Sequence, residues 1–154
     1  MLVDDSQKSL SDPMLDAQTS HPNANKAQEA RKAWVVYCQS RNANGEKRSA
    51  DGFDPIEGDL RPEERVAMLA RCFPVLWDKP WCNPFDAAQL DAWASENRDR
   101  LSHGSLCAMQ FLLWLWGGDR EWKLGKFNMR YAWGRWDADQ RLAWKLWASE
   151  PYFP

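Results

Sequence analysis

The amino-acid sequence predicts an all-α protein, a single compact bundle of five or six helices packed around one apolar helix. Only seven of its 154 residues are β-branched (one Ile, five Val and one Thr), against eighteen Ala and fifteen Leu. Strands favour β-branched side chains, whereas Ala and Leu lose little conformational freedom in a helix. The imbalance therefore favours helices throughout, and a short hairpin built from aromatic residues is the one alternative left open.

Composition and charge narrow the classes of protein further. Hydrophobic residues make up 44% of the chain, charged residues 27%, and the formal net charge is −2. These values suit one globular domain and exclude wholesale disorder, a fibrous chain or a strongly basic nucleic-acid binder. The chain has no uncharged apolar run of about 18 residues, and residues 1–11 lack the apolar core of a secretory signal. The four cysteines are not closely paired in the sequence, which favours reduced thiols over a disulfide framework. We therefore expect a cytoplasmic protein.

The chain divides by composition into two parts. Residues 1–25 are polar and interrupted by Pro13 and Pro22, so burial of their few apolar side chains does not offset the entropy of ordering them. We predict a flexible polar tail there, with at most a short helix around Met14. Residues 26–154 are predicted to form the helical domain.

Two helices are predicted in the first half of this domain. The first covers about residues 26–40, and a loop follows at residues 42–58. Its apolar residues recur at steps of three and four and share one face: Ala27, Ala30, Trp34, Tyr37 and Cys38. The second begins at Pro62, a residue suited to the first helical turn, and Pro74 ends it.

The next two helices include the centre of the predicted bundle. The third is expected to open at Asn83 and Pro84, as a cap and a first-turn proline, and to continue to about Arg100. The fourth runs from Ser102 or His103 to Trp116 and is apolar nearly all round. A helix without a polar face must be surrounded by others, so this one is predicted to be central.

The last third of the chain predicts a short helix over about residues 127–133 and a longer final helix. Asp137 is expected to cap the final helix while Gln140 reaches back to it, as in a capping box. Pro151 ends it. Its predicted buried stripe consists of Leu142, Ala143, Leu146 and Trp147.

Cysteine and histidine residues raise two weaker possibilities. His103 and Cys107 are four residues apart and share a helix face, so Cys72 and Cys82 would complete a tetrahedral zinc site. A Cys–His nucleophilic pair is the other possibility, and it requires a lowered thiol pKa. Three of the cysteines, Cys38, Cys72 and Cys107, also fall on apolar stripes, where they act as small buried hydrophobes. We therefore expect no metal, no cofactor and no catalytic residue.

Basic and aromatic residues alternate in the last third of the chain. Residues 119–154 carry seven basic and five acidic side chains. Arg and Lys beside aromatic rings are typical of surfaces that track single-stranded nucleic acid. An excess of two charges is small beside the six to ten phosphate contacts of a strong nucleic-acid binder, so a nucleic-acid-associated accessory protein is the alternative function, not the first.

Eleven tryptophans are more than one central helix can bury, which favours a protein-binding surface. Trp, Tyr and Arg dominate the energetic centres of protein–protein interfaces. We therefore predict a non-enzymatic module, such as an adaptor, regulator or inhibitor, that binds another protein through the C-terminal third and nearby irregular segments. The expected contact residues are Trp81, Arg130, Trp133, Arg135, Trp136, Tyr152 and Phe153.

Overall fold

The computed structural model describes residues 22–45, 60–79, 81 and 84–154. Within these ranges the regular secondary structure is helical and contains no strand, which confirms the predicted all-α bundle. The expected helix around Met14, nearly all of the predicted tail, most of the predicted loop and Cys82 lie outside the described residues. The α-helices are α1 (Ala24–Gly45), α2 (Pro62–Arg71), α3 (Ala87–Glu96), α4 (His103–Gly117), α5 (Met129–Arg135) and α6 (Ala138–Ser149), with 3-10 helices at Pro74–Leu76 and Arg98–Arg100.

Helix α4 lies at the centre of the bundle, as its apolar sequence predicts. It packs against α2, α3 and α5, and the Ser102 side chain caps its first turn by accepting a hydrogen bond from the Ser105 backbone at 3.1 Å. The helix ends at Gly117, and Gly118 follows with a positive φ of 58° that favours glycine. The buried residues of α4 are Gly104, Ser105, Cys107, Ala108, Met109, Phe111, Leu112, Leu113 and Leu115.

An aromatic cluster around Phe111 forms much of the core. The centroid of the Phe111 ring lies between 5.2 and 6.2 Å from the centroids of four rings outside α4. Aromatic rings at these distances attract one another through offset and edge-to-face contacts. The rings around Phe111 are those of Phe73, Phe127, Trp136 and Trp147.

Helix α1 is longer than predicted at both ends. It begins at Ala24, where the Ala27 backbone N–H donates to the Asn23 carbonyl at 2.9 Å. It continues to Gly45 through residues expected in a loop, and within this extension the Asn42 side chain donates to the Glu150 carboxylate at 2.6 Å. A contact 108 residues away in the sequence therefore supports the last turns of α1.

Helix α3 begins later and ends earlier than predicted. Asp86 is its N-cap residue and accepts a hydrogen bond from the Gln89 backbone at 3.0 Å, so the predicted start at Asn83 and Pro84 is wrong. The helix ends at Glu96, and a separate 3-10 turn covers Arg98–Arg100. An Asp three residues before a free N–H competes well for the cap position.

Helix α5 is shifted by two residues from its predicted position. Asn128 caps it by accepting a hydrogen bond from the Tyr131 backbone at 3.0 Å. The helix then continues through Gly134 to Arg135. Gly134, the residue after the predicted end of this helix, therefore lies inside it.

Helix α6 has the predicted capping box but not the predicted buried stripe. Asp137 accepts a hydrogen bond from the Gln140 backbone at 2.8 Å, and the Gln140 side chain accepts one from the Asp137 backbone at 3.2 Å. Ala143 and Trp147 are buried, whereas Leu142 is 44% exposed and Leu146 is partly buried. The stripe divides because positions 142 and 146 lie about 100° round the helix from 143 and 147.

The buried carboxylate of Asp91 holds the segment between α4 and α5. It accepts hydrogen bonds from the backbone N–H groups of Lys123 at 3.1 Å and Leu124 at 2.8 Å. The Leu124 carbonyl in turn accepts from the side chains of Gln110, at 3.0 Å, and Arg98. These bonds pair backbone groups that burial would otherwise leave unsatisfied.

Candidate functional site

Two of the expected contact residues, Trp81 and Trp136, lie in the core. They are 3% and 2% exposed, so the prediction that they reach the surface is wrong. Trp136 donates its indole N–H to the Gly104 carbonyl at 3.2 Å, which satisfies its one polar group inside the protein. The ring of Trp81 packs against Trp93 at 5.9 Å between centroids.

Three other expected residues lie on or beside α5. Arg130 and Arg135 are exposed, and the guanidinium of Arg135 lies 5.0 Å from the ring centre of Tyr131. Trp133 is partly buried, and Arg141 holds it in place by donating two hydrogen bonds to its carbonyl, at 2.8 and 3.1 Å. These three residues lie together on α5, and the part of the surface that they form is more basic than apolar.

Tyr152 and Phe153 lie in a third place. The ring of Tyr152 carries the guanidinium of Arg65 at 4.0 Å, and its carbonyl accepts a hydrogen bond from the indole of Trp147 at 3.0 Å. Phe153 is exposed and packs edge-on against Trp114 and Trp147, both at 5.6 Å. The seven expected contact residues therefore do not form one continuous surface. They are divided among the core, helix α5 and the segment that follows α6.

Two rings of α5, exposed Tyr131 and partly buried Trp133, already have cations beside them. Arg141 and Lys145 lie 5.2 and 5.7 Å from the ring centre of Trp133, and Arg135 lies over Tyr131. A nucleic-acid base needs an open ring face on which to stack. Stacking here would displace these cation–π contacts, so the arrangement favours the nucleic-acid alternative less than the sequence suggested.

The thiol pKa values of the three described cysteines are raised, which lowers the fraction of reactive thiolate. Burial and the Glu150 carboxylate raise the pKa of the Cys38 thiol from 9.0 to about 11, and burial raises the pKa of Cys72 to about 12. Burial also raises the pKa of Cys107. A thiol nucleophile needs the opposite shift.

His103 and Cys107 line one cavity of about 480 Å³, as their spacing predicts. The His103 Nδ1 lies 3.4 Å from the Tyr131 hydroxyl. Within the described ranges, no group of three or more His, Cys, Asp or Glu side chains is placed to hold a metal ion. Cys82, the fourth member of the zinc hypothesis, lies outside them.

Helices α1 and α6 run parallel and side by side. Arg31 forms an ion pair with Asp139 at 3.1 Å, and Asn42 bonds to Glu150 at 2.6 Å. Both pairs are separated by 108 residues in the sequence, so the two helices advance in the same direction in a constant register. Because the two links are three helical turns apart, they hold both helices along most of α6.

An apolar groove runs between these two helices. Its volume is about 450 Å³, and three of its side chains are substantially exposed: Val35 at 37%, Val36 at 63% and Leu142 at 44%. The charged residues that line it, Arg31 and Lys32, are both basic. The full lining consists of Gln28, Arg31, Lys32, Val35, Val36, Leu142 and Leu146.

This groove was not predicted from the sequence, although the sequence of α1 contains a signal for it. Val35 and Val36 lie outside the apolar stripe of α1 and are large aliphatic residues on a face that should be polar. Leu142 and Leu146 were assigned to the core stripe of α6. Only the parallel register of the two helices brings the four residues to one surface.

Comparison with protein-family models, with curated proteins and with solved structures finds no match to this chain. None of the helices in the described ranges is both long enough and apolar enough to cross a membrane.

Proposed function

We propose that this protein is a non-enzymatic binding module that accepts an amphipathic helix of another protein in the groove between α1 and α6. The observation that carries the proposal is the cluster of exposed Val35, Val36, Leu142 and partly buried Leu146 along one groove. Contiguous exposed aliphatic residues are typical of interaction sites, whereas single ones are normal on any surface.

The shape of the groove favours a helix as the occupant. Its walls are built from residues four apart on each helix, in the pairs Leu142 with Leu146 and Lys32 with Val36. Such rows form ridges with a groove between them, into which the ridge of a third helix fits. A bound helix would place apolar residues at intervals of three and four against the groove.

The charges of the groove favour acidic residues beside the apolar face of that helix. Lys32 is paired with Glu29 at 3.1 Å, and both side chains are well exposed. Because an exposed pair of this kind contributes only about 0–1 kcal/mol, Lys32 can exchange Glu29 for a carboxylate of the partner at little cost. Arg31 is buried and stays paired with Asp139, so Lys32 is the cation of this wall that a partner can reach.

The proposed location is the cytoplasm. Free thiols at Cys38, Cys72 and Cys107 support this proposal, since oxidising compartments favour disulfides.

The test selects peptides from a randomised display library against the full chain. We expect the enriched peptides to carry apolar residues three and four apart with acidic neighbours. In methyl NMR spectra these peptides should shift the signals of Val35, Val36 and Leu142. Val36→Asp should weaken their binding at least about tenfold, since it places a carboxylate in an apolar contact.

The matched control is Tyr131→Asp, which also introduces a carboxylate at an exposed hydrophobic residue. It lies on α5, among Arg130, Trp133 and Arg135 of the expected surface. Binding that is lost in Tyr131→Asp and kept in Val36→Asp would place the contact on α5 and contradict the groove. The groove would also be contradicted as the binding site if the selection enriched no peptide that prefers the unmodified chain to the Val36→Asp variant. A salt-sensitive complex with a single-stranded oligonucleotide, without peptide binding, would favour the nucleic-acid alternative.

A further inference from the structure

A segment of this chain itself has the properties expected of the groove's occupant. Residues 10–16 have the sequence Leu-Ser-Asp-Pro-Met-Leu-Asp, and seven residues separate them from the start of α1 at Ala24. With Ser11 as an N-cap, Leu10 and Leu15 take the two positions of a hydrophobic staple, and Pro13 falls in the first turn, where proline is tolerated. The pattern is therefore that of a helix start with an apolar face.

The charge of this region complements the groove. Residues 1–21 contain four aspartates and one lysine, and two of the aspartates, Asp12 and Asp16, fall within the segment. Among the described residues that line the groove, the charged ones are basic: Arg31, which is buried and paired with Asp139, and exposed Lys32. Carboxylates four residues apart lie on one side of a helix, so Asp12 and Asp16 can both lie on the side that faces Lys32.

The connection is long enough for the segment to reach the groove. From Ala24, where α1 begins, to Lys32 on the groove wall is about 12 Å along the helix axis. The seven residues from Asp16 to Pro22 span up to about 23–25 Å when extended. The chain can therefore turn back along α1 and place residues 10–16 beside Val35 and Val36.

We propose that residues 10–16 occupy the α1–α6 groove of the same molecule and compete with the partner helix. This inference rests on the proposed function, because it assigns a regulator to the same site. A short tether gives the segment an effective concentration on the order of 1 mM. A segment with an intrinsic Kd of about 0.1 mM would then lower the partner's apparent affinity about tenfold.

The test compares two double variants of the full chain by methyl NMR. Leu10→Asp with Leu15→Asp removes the apolar face, while Leu2→Asp with Val3→Asp makes the same change of charge outside the motif. We expect the first variant to shift the groove methyl signals of Val35, Val36 and Leu142, and the control to leave them unchanged. The first variant should also bind a selected peptide about tenfold more tightly than the unmodified chain.

Three outcomes would overturn the inference. Groove signals that do not respond to Leu10→Asp with Leu15→Asp would show that the segment is not there. Signals that change with protein concentration would make a second copy of the chain the occupant. If the groove signals respond to Phe53→Asp but not to Leu10→Asp with Leu15→Asp, the occupant is residues 46–59, the other acidic segment with apolar residues.

The proposed function is judged by a separate result. If Val36→Asp abolishes peptide binding while the segment variants have no effect, the binding site stands and only the competition is wrong. If no peptide binds the groove but the segment variants shift its signals, residues 10–16 occupy the groove and the proposed partner helix is wrong.

Discussion

Arg31 and Asp139 are 108 residues apart in the sequence and form a 3.1 Å ion pair between the first and last helices. The Arg31 guanidinium also donates to the Cys72 carbonyl, just after α2, at 3.2 Å. One buried side chain therefore links α1, α2 and α6, and this link helps set the width of the groove between α1 and α6.

Arg31→Ala should destabilise the protein by about 1–3 kcal/mol, because it leaves the Cys72 carbonyl without this donor and Asp139 without its cation. Chemical denaturation monitored by tryptophan fluorescence measures the change. Lys32→Ala is the control and should change the unfolding free energy by no more than about 0.5 kcal/mol, since its ion pair is exposed. Equal denaturation midpoints for the two variants would contradict the role of Arg31.

Asp91→Ala should free the segment between α4 and α5. It removes the acceptor of the Lys123 and Leu124 backbone N–H groups, and a buried donor left unpaired costs about 1–3 kcal/mol. Hydrogen exchange at these two amides should accelerate more than exchange in α1. Exposed Asp99 provides the control, since Asp99→Ala should leave both amides protected. Unchanged protection in Asp91→Ala would mean that other contacts hold the segment.

Substitutions in the groove should be tolerated by the fold, which separates binding from stability. Leu142→Asp alters a side chain that is 44% exposed, and we expect a loss of no more than about 1 kcal/mol. The adjacent Ala143 is completely buried, so Ala143→Asp should prevent folding or cost several kcal/mol. Circular dichroism melting curves measure both. A Leu142→Asp variant as unstable as Ala143→Asp would show that Leu142 belongs to the core.

Cys38 should alkylate slowly near neutral pH and faster as the pH rises toward 11. Burial and Glu150 raise the pKa of its thiol from 9.0 to about 11, which lowers the thiolate fraction at pH 8 about 100-fold relative to an ordinary thiol. Glu150→Gln removes the neighbouring negative charge, so the thiolate becomes easier to form and the rate at pH 8 should rise. Because burial is the larger cause, part of the pKa shift should remain.

Site-resolved mass spectrometry after iodoacetamide treatment follows each cysteine separately. Cys72, whose pKa is raised to about 12 by burial, serves as the internal control and should not respond to Glu150→Gln. A Cys38 rate at pH 8 equal to that of a free thiol would contradict the pKa shift.

Local sequence signals predicted most of the helices. The apolar run of α4 and the Asp137–Gln140 capping box depend on neighbouring residues alone, and the structure confirms both. The C-terminal end of α1 was predicted too early, and its last turns include Asn42, which bonds to Glu150, a residue far along the chain. Sequence patterns that extend over about four residues cannot predict contacts between residues far apart in the chain.

The candidate site was less predictable for the same reason. Trp136 was expected at the surface because its segment is irregular, yet the Gly104 carbonyl on α4 accepts its indole N–H inside the core. The groove depends on which helix lies beside α6, and periodicity within α6 cannot distinguish a leucine facing the core from one facing α1. Val35 and Val36 were the one local hint, as aliphatic residues outside the stripe of α1.

The pairing of the first helix with the last has a consequence for synthesis on the ribosome. At about 5–20 residues per second, the interval between the translation of Arg31 and that of Asp139 is roughly 5–20 seconds. During this interval the nascent chain exposes the side of α1 that α6 later covers. A chaperone can therefore contact the side of α1 around Arg31 and Asn42 until α6 has left the exit tunnel.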